Sequence, residues 1–344
     1  MRKTKVTHDS RMSESAPDDG VTTSAVSRQQ LALVQSAIRP LEPVPVTPET
    51  VCAVVVSYHP DRDFFDRIQR IFPQVRQTVI VDNGSSSQLT ERMRELADEY
   101  DIHLILNHRN EGLARALNIG AQWAIEQGYR WLLTLDQDTT VSPEMIQSLG
   151  EVFSRYSSPQ QLAVVGSNYI DKADDRLCEE LVGSGNFASR EMTTVLTSGS
   201  LISLNVFHAI GGFRDDFFID SVDHEYCLRA RAHGFRVIMT SEPIMKHGIG
   251  NLTEHRLLWR RVHTTNHSPV RRYFATRNTL ILTREYVAKE PRWTIEHVSG
   301  FIKSIILVCL FERDRIPKIK YILRGCIDAL SGRTGSLGEV DADK

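Results

Sequence analysis

Two carboxylates stand two positions apart at the end of a short apolar run. The run covers residues 131–135, and Asp136 and Asp138 follow it. An apolar run bounded by polar residues predicts a buried strand, and open α/β sheets bind ligands where such strands end. On an extended chain, side chains at i and i+2 point the same way, so this pair could hold a hard divalent cation. The predicted chemistry is binding of a metal-bound diphosphate, and a solvated turn is the alternative.

A second acidic group, Asp220, Asp223 and Glu225, lies within six residues. It follows an aromatic pair, Phe217 and Phe218, that would partly bury it. Apolar residues four and seven positions after Asp223 place this carboxylate in the first turn of a helix. A helix N-terminus stabilises a carboxylate, so a purely structural charge is the alternative to a catalytic role.

The elements that must position these acids alternate between β-branched runs and helical spacing. Strands are predicted at 51–57, 78–82, 103–106, 131–136, 162–166, 197–203 and 236–240. Helices are predicted at 64–71, 88–100, 113–125, 143–156, 204–210, 223–234 and 271–286. This alternation predicts an α/β fold with a parallel, doubly wound sheet. Residues 167–192 are polar and contain glycine, which predicts an irregular segment.

A polar loop with glycine precedes the helix predicted at 113–125, and Gly112 would stand at the helix start. A helix N-terminus favours phosphate anions, although an ordinary capped helix explains the same pattern. His247 follows the last predicted strand, where a histidine is more often a satisfied loop residue than a ligand.

Composition excludes several classes of protein. With 344 residues, 41% hydrophobic content and a net charge of −2, the chain fits one large α/β domain with appendages. No signal peptide or apolar run long enough for a membrane span is evident, which makes the cytoplasm the expected location. The five cysteines form no C-x-x-C pair, so neither a disulfide framework nor a zinc site is indicated. Arginines without acids between 256 and 277 predict an anion-attracting segment, not a nucleic-acid-binding protein.

The chain divides into four predicted regions. Residues 1–48 are polar and predict a disordered tail with one short helix at 27–38. Residues 49–250 form the catalytic domain, 251–330 a C-terminal helical region, and 331–344 a frayed tail. In the helical region an apolar block, too short to span a bilayer, adjoins basic residues, which allows either membrane association or packing against the domain.

The ordered set of short motifs resembles the inverting glycosyltransferases of family 2, and among them the bacterial rhamnosyltransferases, over about residues 50–330. The motifs run Val-Val-Ser57-Tyr, Val-Asp82-Asn-Gly-Ser, Asn110-x-Gly112, Asp136-Gln-Asp138, Ser198-Gly-Ser200, Gly211-Gly-Phe, Asp223-His-Glu225, His247 and Arg272-Tyr-Phe-x-x-Arg277-Asn. The resemblance implies a GT-A fold, with a mostly parallel sheet and a C-terminal helical extension.

Residue roles follow from the same resemblance. It implies that Asp82 recognises the pyrimidine base and that Asp223 is the catalytic base. It implies donor binding by Ser57, Asp82, Asn110, Gly112, Asp136, Arg272 and Arg277. It implies metal binding by Asp138 and His247 and acceptor binding by Ser198, Gly199 and Glu225. Many family members carry Glu-Asp where Val222-Asp223 stands here, which leaves Asp223 and Glu225 open as the base.

The implied function is metal-dependent, inverting transfer of L-rhamnose from dTDP-L-rhamnose to a glycan or polyprenyl-linked acceptor of O-antigen-type polysaccharide. Mg²⁺ or Mn²⁺ is the expected cofactor, and the expected location is the cytoplasm or the inner face of its membrane, as a monomer or homodimer. The alternatives are another nucleotide sugar, a nucleotidyltransferase and a non-catalytic binding module. A dinucleotide-binding oxidoreductase is disfavoured because no G-x-G-x-x-G follows the first strand.

Overall fold

The structure, a computed structural model, describes residues 43–172, 175, 177, 188–248, 252–257 and 259–337. Most of the predicted N-terminal tail, its helix at 27–38 and Cys178 lie outside the described residues, as does the end of the C-terminal tail from 338 onward.

The described elements alternate largely as predicted. The strands are β1 (Val51–Ser57), β2 (Gln77–Asp82), β3 (His103–Leu106), β4 (Trp131–Asp136), β5 (Thr140–Val141), β6 (Leu162–Asp171), β7 (Ser189–Glu191), β8 (Ser200–Ser203), β9 (Arg236–His247), β10 (Thr253–Leu257) and β11 (Arg260–Thr264). The helices are α1 (Phe64–Ile68), α2 (Ser87–Tyr100), α3 (Leu113–Glu126), α4 (Met145–Arg155), α5 (Leu204–Ile210), α6 (Val222–Ala232), α7 (Pro269–Tyr286), α8 (Pro291–Phe311) and α9 (Arg315–Leu330). Short 3₁₀ turns occur at Phe72–Gln74, Pro159–Gln161 and Asp215–Phe217.

One large sheet carries the domain. Its order is β3-β2-β1-β4-β8-β6-β9-β5, and β7 pairs with β9. The pairs β2–β3, β1–β2, β1–β4 and β6–β9 are parallel, whereas β8 runs antiparallel to both β4 and β6. The prediction of an α/β fold with a mostly parallel, doubly wound sheet is confirmed, with short antiparallel strands in its second half.

Helices cover both faces of the sheet, so its central strands β1 and β4 are buried at nearly every position. On β1, Cys52, Val54 and Val56 pack into the core that contains α3 and α6. The alternate residues Val51 and Ala53 pack into the other core, with α1, α2 and α4. Alternation of side chains along a strand produces this division.

Two strands are longer than the sequence predicts. Strand β6 continues to Asp171, and β9 continues past Pro243 to His247, so the prediction of an irregular segment from residue 167 is wrong for 167–171. Polar residues interrupt the apolar pattern of β6, which is why the sequence does not reveal its full length. Their hydrogen bonds are made within the protein: the Nδ2 of Asn168 donates to the Ser241 carbonyl at 3.0 Å. Pro243 lies where the register between β6 and β9 shifts. A bulge at this position does not require the backbone N–H that proline lacks.

The C-terminal region contains a feature that the sequence interpretation missed. Strands β10 and β11 form a hairpin of largely exposed polar residues, which gives no alternating apolar pattern to recognise. Helices α8 and α9 pack on α7, and beyond α9 the Gly335 N–H donates to the Asp216 carbonyl at 2.8 Å. Among the described residues, α8 is long and apolar enough to span a membrane by composition alone, so the expectation that this block is too short is wrong.

Candidate active site

Asp136, Asp138 and His247 form a cluster in which one ligand atom from each lies within 4.8 Å of the others. The His247 Nδ1 is 3.4 Å from Asp138 Oδ1, and its Nε2 is 3.8 Å from Asp136 Oδ2. Both carboxylates are partly exposed and His247 is buried, so the cluster opens to solvent on its acidic side. Two carboxylates and an imidazole are a donor set that suits a divalent cation.

The backbone explains why these three side chains meet. The chain turns after β4, with the Thr139 N–H donating to the Asp136 carbonyl at 3.1 Å, so the two carboxylates converge across a turn and not along an extended strand. Strand β5 then pairs with β9 in a register that places Thr140 opposite Lys246. That register brings His247 beside Asp138.

Burial raises the pKa of Asp136, and the neighbouring carboxylates of Asp138 and Asp223 raise it further. The opposing influences are His247 and Arg271, which lower it. A carboxylate destabilised by burial and by other carboxylates gains most from a bound cation.

Ser198 and Gly199 support this cluster from behind. The Ser198 Oγ accepts the Asp136 N–H at 2.9 Å and lies 2.6 Å from the Thr139 Oγ1, which contacts His247 Nδ1 at 2.9 Å. Ser198 is buried, and a Cβ at Gly199 would meet the Met245 sulfur at 2.3 Å. These two residues therefore support the acidic cluster, and their predicted acceptor contact stays a prediction.

Asp223 lies in the first turn of α6, as predicted. Its Oδ1 accepts the His224 N–H at 2.8 Å, and its side chain is 17% exposed. It is near enough to Asp136 to raise that residue's pKa, yet it is not one of the three clustered residues. It is therefore a carboxylate beside the cation site that remains available to a second ligand.

Glu225 is placed quite differently. It is 2% exposed and forms a bidentate pair with Arg229, at 2.9 Å to each carboxylate oxygen. Arg229 also donates to the carbonyls of Ile210, Gly211 and Gly212. Glu225 thus fixes α6 against the preceding loop, and its acceptor contact stays a prediction, which this burial does not support.

An aromatic cluster from the C-terminal region borders Asp223. Trp293 and His297 of α8 stack at 4.6 Å, and the His224 ring lies 5.0 Å from that of His297. Burial lowers the pKa of His297 to about 4, so it is neutral at neutral pH. Helix α8 therefore places uncharged aromatic side chains beside the Asp223 carboxylate.

The backbone just before α6 is strained. Phe218, Asp220 and Ser221 all have positive φ, at 63°, 65° and 60°. Such conformations persist only where the surroundings hold them. Here the Asn278 Nδ2 lies within 3.0 Å of the carbonyls of residues 217, 219 and 220.

Arg277 holds the same loop. It is fully buried and donates to the carbonyls of Asp216, Phe217 and Gly335. The donor contact by Arg277 stays a prediction, which the enclosure of its guanidinium by backbone oxygens does not support. Its role is to position the segment that leads to Asp223.

Arg272 also faces the interior. It pairs with the buried Glu312 at 2.7 Å and donates to the Ser304 hydroxyl at 2.8 Å, which ties α7 to α8. The donor contact by Arg272 stays a prediction, which these buried side-chain contacts do not support. Its neighbour Arg271 is the residue that faces the site: it is 43% exposed, its Nε donates to Asp220 at 3.1 Å, and it lowers the pKa of Asp136. Sequence reasoning did not single out Arg271.

Asp82 and Ser57 lie at the carboxyl ends of β2 and β1. Asp82 is fully buried and accepts hydrogen bonds from the Ser57 hydroxyl and from the backbone and hydroxyl of Ser85. These contacts shape the loop after β2, at the edge where open α/β sheets bind ligands. Recognition of a base by Asp82, and donor binding by Ser57, stay predictions.

The loop before α3 is closed by the segment after α5. Asn110 accepts the Gly112 N–H at 2.9 Å and the Nδ2 of Asn83 at 3.0 Å. The Phe218 carbonyl accepts the Leu113 N–H at 2.7 Å, so it occupies the helix N-terminus that was predicted to bind phosphate. Asn110 and Phe218 thus hold this loop, and donor contacts by Gly112 and Asn110 stay predictions.

Replacing Gly112 with alanine should be strongly destabilising. Gly112 has φ 89° and ψ 159°, a region that only glycine populates well, and an added Cβ would meet the Phe218 ring at 2.6 Å. We expect a loss of about 2–5 kcal/mol in the free energy of unfolding, measured by urea denaturation. Gly128→Ala is the control, because Gly128 has φ 82° with nothing within 4 Å, and should lose only about 1–2 kcal/mol. Equal losses would show that contact with Phe218 carries no cost.

An α/β sheet with Asp136, Asp138 and His247 at one edge, and a further carboxylate on a neighbouring helix, is consistent with the GT-A fold of glycosyltransferases. Residues 62–216 match the family model described as Glycosyl transferase family 2. This match, together with the two relatives below, identifies the protein as a glycosyltransferase. This assignment sets aside the nucleotidyltransferase and the non-catalytic binding module.

Two relatives agree with this assignment. A dTDP-rhamnosyl transferase RfbF from Shigella flexneri is 28% identical over 83% of this chain and 97% of its own length. A low-salt glycan biosynthesis hexosyltransferase Agl10 from Haloferax volcanii is 25% identical over 54% of this chain and 62% of its own length.

Solved structures share the fold. TarS from S. aureus aligns with a TM-score of 0.54 at 11% identity, over 82% of this chain, and this chain spans about half of TarS (49%). The mannosyltransferase PcManGT from Pyrobaculum calidifontis, solved with GDP-Man and Mn²⁺, aligns with a TM-score of 0.52 at 12% identity, over 88% of this chain and 95% of its own. At these identities the likeness establishes the GT-A fold alone.

Proposed function

We propose that this protein is a metal-dependent inverting glycosyltransferase that moves L-rhamnose from dTDP-L-rhamnose to a glycan or lipid-linked acceptor. The observation that carries the proposal is the position of Asp223, beside the cluster of Asp136, Asp138 and His247 but outside it. Sugar transfer needs cations facing the leaving diphosphate and one carboxylate free to take a proton. The donor is supported by the relative named as a dTDP-rhamnosyl transferase.

The acidic cluster fits Mg²⁺ or Mn²⁺. Carboxylate oxygens suit both ions, and the imidazole of His247 favours Mn²⁺. Thr139 engages the His247 Nδ1, which leaves Nε2 for the cation. Such a cation, when bound, would stabilise the negative charge of the departing diphosphate. Arg271 adds a side-chain cation on the same side of the site.

Asp223 acts as the general base. Its carboxylate takes the proton of the acceptor hydroxyl while that oxygen attacks the anomeric carbon. The bond from the anomeric carbon to the diphosphate oxygen breaks, and its electron pair leaves with the nucleoside diphosphate. Since one displacement occurs at that carbon, its configuration inverts. The His224 N–H bonded to Oδ1 orients the carboxylate and leaves Oδ2 for the acceptor.

The acceptor belongs to a cell-surface polysaccharide of the O-antigen type, and the enzyme works in the cytoplasm, peripherally on the inner face of the membrane. The apolar and basic surface of α8 and α9 supports this location. A hexose nucleotide is the second candidate donor, because the other relative is named as a hexosyltransferase.

Donor turnover tests the proposal. The protein is incubated with Mg²⁺ or Mn²⁺, a panel of nucleotide sugars and a bacterial lipid-linked glycan extract, and nucleoside diphosphate release is followed. We expect release from dTDP-L-rhamnose that requires both metal and extract. Release only from a hexose nucleotide would replace the donor, and binding of no nucleotide sugar in calorimetry would overturn the proposal.

A further inference from the structure

The two C-terminal helices expose apolar residues at helical spacing. On α8, Ile295, Ile302, Ile306 and Leu310 are each at least 51% exposed, at intervals of seven, four and four residues. On α9 the corresponding stripe is at least 58% exposed and consists of Ile316, Leu323, Ile327 and Leu330. Each stripe is therefore an exposed apolar face that no described part of the chain covers, and the exposed Lys320 interrupts the one on α9.

The β10–β11 hairpin adds an aromatic residue beside these helices. Trp259, between the two strands, is 80% exposed, and Leu257 is also exposed. The hairpin is fixed to the end of α8, because His255 stacks on Phe311 at 4.7 Å. An exposed tryptophan held next to an apolar helix face is typical of residues that sit at a membrane–water interface.

Helix α8 lies along the domain surface. Near its start His297 packs against His224, and at its other end Phe311 packs against His255. Between them, Ser304 accepts a hydrogen bond from Arg272. Helix α8 is long enough to cross a bilayer, and only 17% of its apolar stretch is buried. A helix that is bound to the folded domain at both ends and in the middle cannot also cross a bilayer.

Near the start of α8 the exposed side chains of Arg292 and Glu296 pair at 3.0 Å, whereas the exposed charges around the junction of α8 and α9 are nearly all positive. In the range 303–324, where every residue is described, the exposed cations are Lys303, Arg313, Arg315, Lys320 and Arg324. Asp314 is the single exposed acid there, while Glu312 is buried with Lys318. The hairpin adds the exposed cations Arg256 and Arg261 and one exposed acid, Glu254, which lies 3.5 Å from the Arg261 guanidinium. A basic rim on an apolar face is complementary to anionic lipid headgroups and would repel a second copy of itself.

We propose that the hairpin tip with Leu257 and Trp259, together with the exposed stripes of α8 and α9, docks in the plane of an anionic lipid bilayer. This surface is called the docking face below. The proposal deepens the proposed function, because α8 also borders Asp223 and so places the catalytic carboxylate near a membrane that carries a lipid-linked acceptor. Binding itself requires neither donor nor catalysis.

Vesicle flotation of the full chain, without nucleotide sugar, tests the docking face. We expect binding to vesicles of phosphatidylcholine with phosphatidylglycerol, weakening with salt, and little binding to phosphatidylcholine alone. Trp259→Ser and the double variant Ile302→Ser/Ile306→Ser should each lower the partition coefficient about tenfold or more, and Arg313→Gln/Arg315→Gln should remove the preference for anionic lipid. Tyr100→Ser and Arg94→Gln are the matched controls, since both residues are exposed on α2 and should leave binding unchanged.

Circular dichroism and thermal unfolding establish that each variant is folded. Vesicle binding that the docking-face variants leave intact would overturn the proposal. So would a dimer in sedimentation analysis that Ile302→Ser/Ile306→Ser dissociates, together with no vesicle binding, because the face would then belong to a second copy. Binding by the docking face without turnover of dTDP-L-rhamnose would leave this inference standing and reject the proposed donor.

Discussion

Asp223→Asn is expected to abolish sugar transfer and leave donor binding almost unchanged. Asparagine has the shape of aspartate and can still accept the His224 N–H that Oδ1 accepts at 2.8 Å, but it cannot take a proton. General-base assistance is typically about 10²- to 10⁴-fold, so kcat should fall by at least that factor. Nucleoside diphosphate release measures turnover, and calorimetry with dTDP-L-rhamnose measures affinity.

Glu225→Gln is the matched control, because both acids lie in the first turn of the same helix. The change weakens the buried pair with Arg229 and should cost about 1–3 kcal/mol in the free energy of unfolding. Its kcat should stay within about tenfold of the unmodified enzyme, since Glu225 is 2% exposed and no acceptor can reach it. If Glu225→Gln lost more turnover than Asp223→Asn, or if Asp223→Asn lost donor affinity and turnover equally, Asp223 would not be the base.

The sheet and the position of its acids could be predicted because they depend on local patterns. The apolar runs of β1 and β4 are buried on both faces, so their composition alone identifies them as central strands. Asp136 follows such a strand, and the edge at which parallel strands end is where ligands bind. Asp223 was placed correctly by helical spacing within α6.

The direction in which an individual side chain points could not be predicted, because it depends on tertiary contacts. Arg271 and Arg272 are adjacent on α7, and the packing of α7 against α8 and α9 turns Arg272 inward and Arg271 toward Asp220. The stretch around Gly112 has the pattern of a phosphate-binding loop. In the structure the carbonyl of Phe218, over one hundred residues away in sequence, accepts the Leu113 N–H at the N-terminus of α3. Neither relation leaves a periodic signal in one sequence.

The exposed hairpin was missed for a related reason. Strand patterns are recognised by alternation of apolar and polar residues, and β10 is exposed or half-exposed at every position. The stacking of the His255 ring on the Phe311 ring, 56 positions further along the chain, fixes the position of the hairpin. Sequence spacing alone carries no information about such a contact.

Chelation of divalent metal is expected to stop transfer, and Asp138→Asn is expected to reproduce that loss in the presence of metal. Two carboxylates and His247 offer ligand atoms within 4.8 Å of one another, and burial raises the pKa of Asp136, so this site gains stability from a cation. We expect EDTA to lower turnover by at least about 10²-fold, with recovery on adding Mn²⁺ or Mg²⁺. Titration of Mn²⁺ followed by electron paramagnetic resonance, with dTDP present, measures the site without catalysis.

Removing the side chain that holds His247 in place should give an intermediate loss of metal affinity. Thr139→Val removes the hydroxyl that contacts His247 Nδ1 at 2.9 Å and that also joins it to Ser198, so the imidazole loses its orientation while all three ligands remain. Loss of such a support typically costs 10- to 100-fold in metal affinity, so Thr139→Val should bind Mn²⁺ more weakly than the unmodified chain and more tightly than Asp138→Asn. Asp98→Asn, an exposed acid on α2, should match the unmodified chain. Mn²⁺ affinity that is the same in all four proteins would show that the three clustered side chains do not hold the ion.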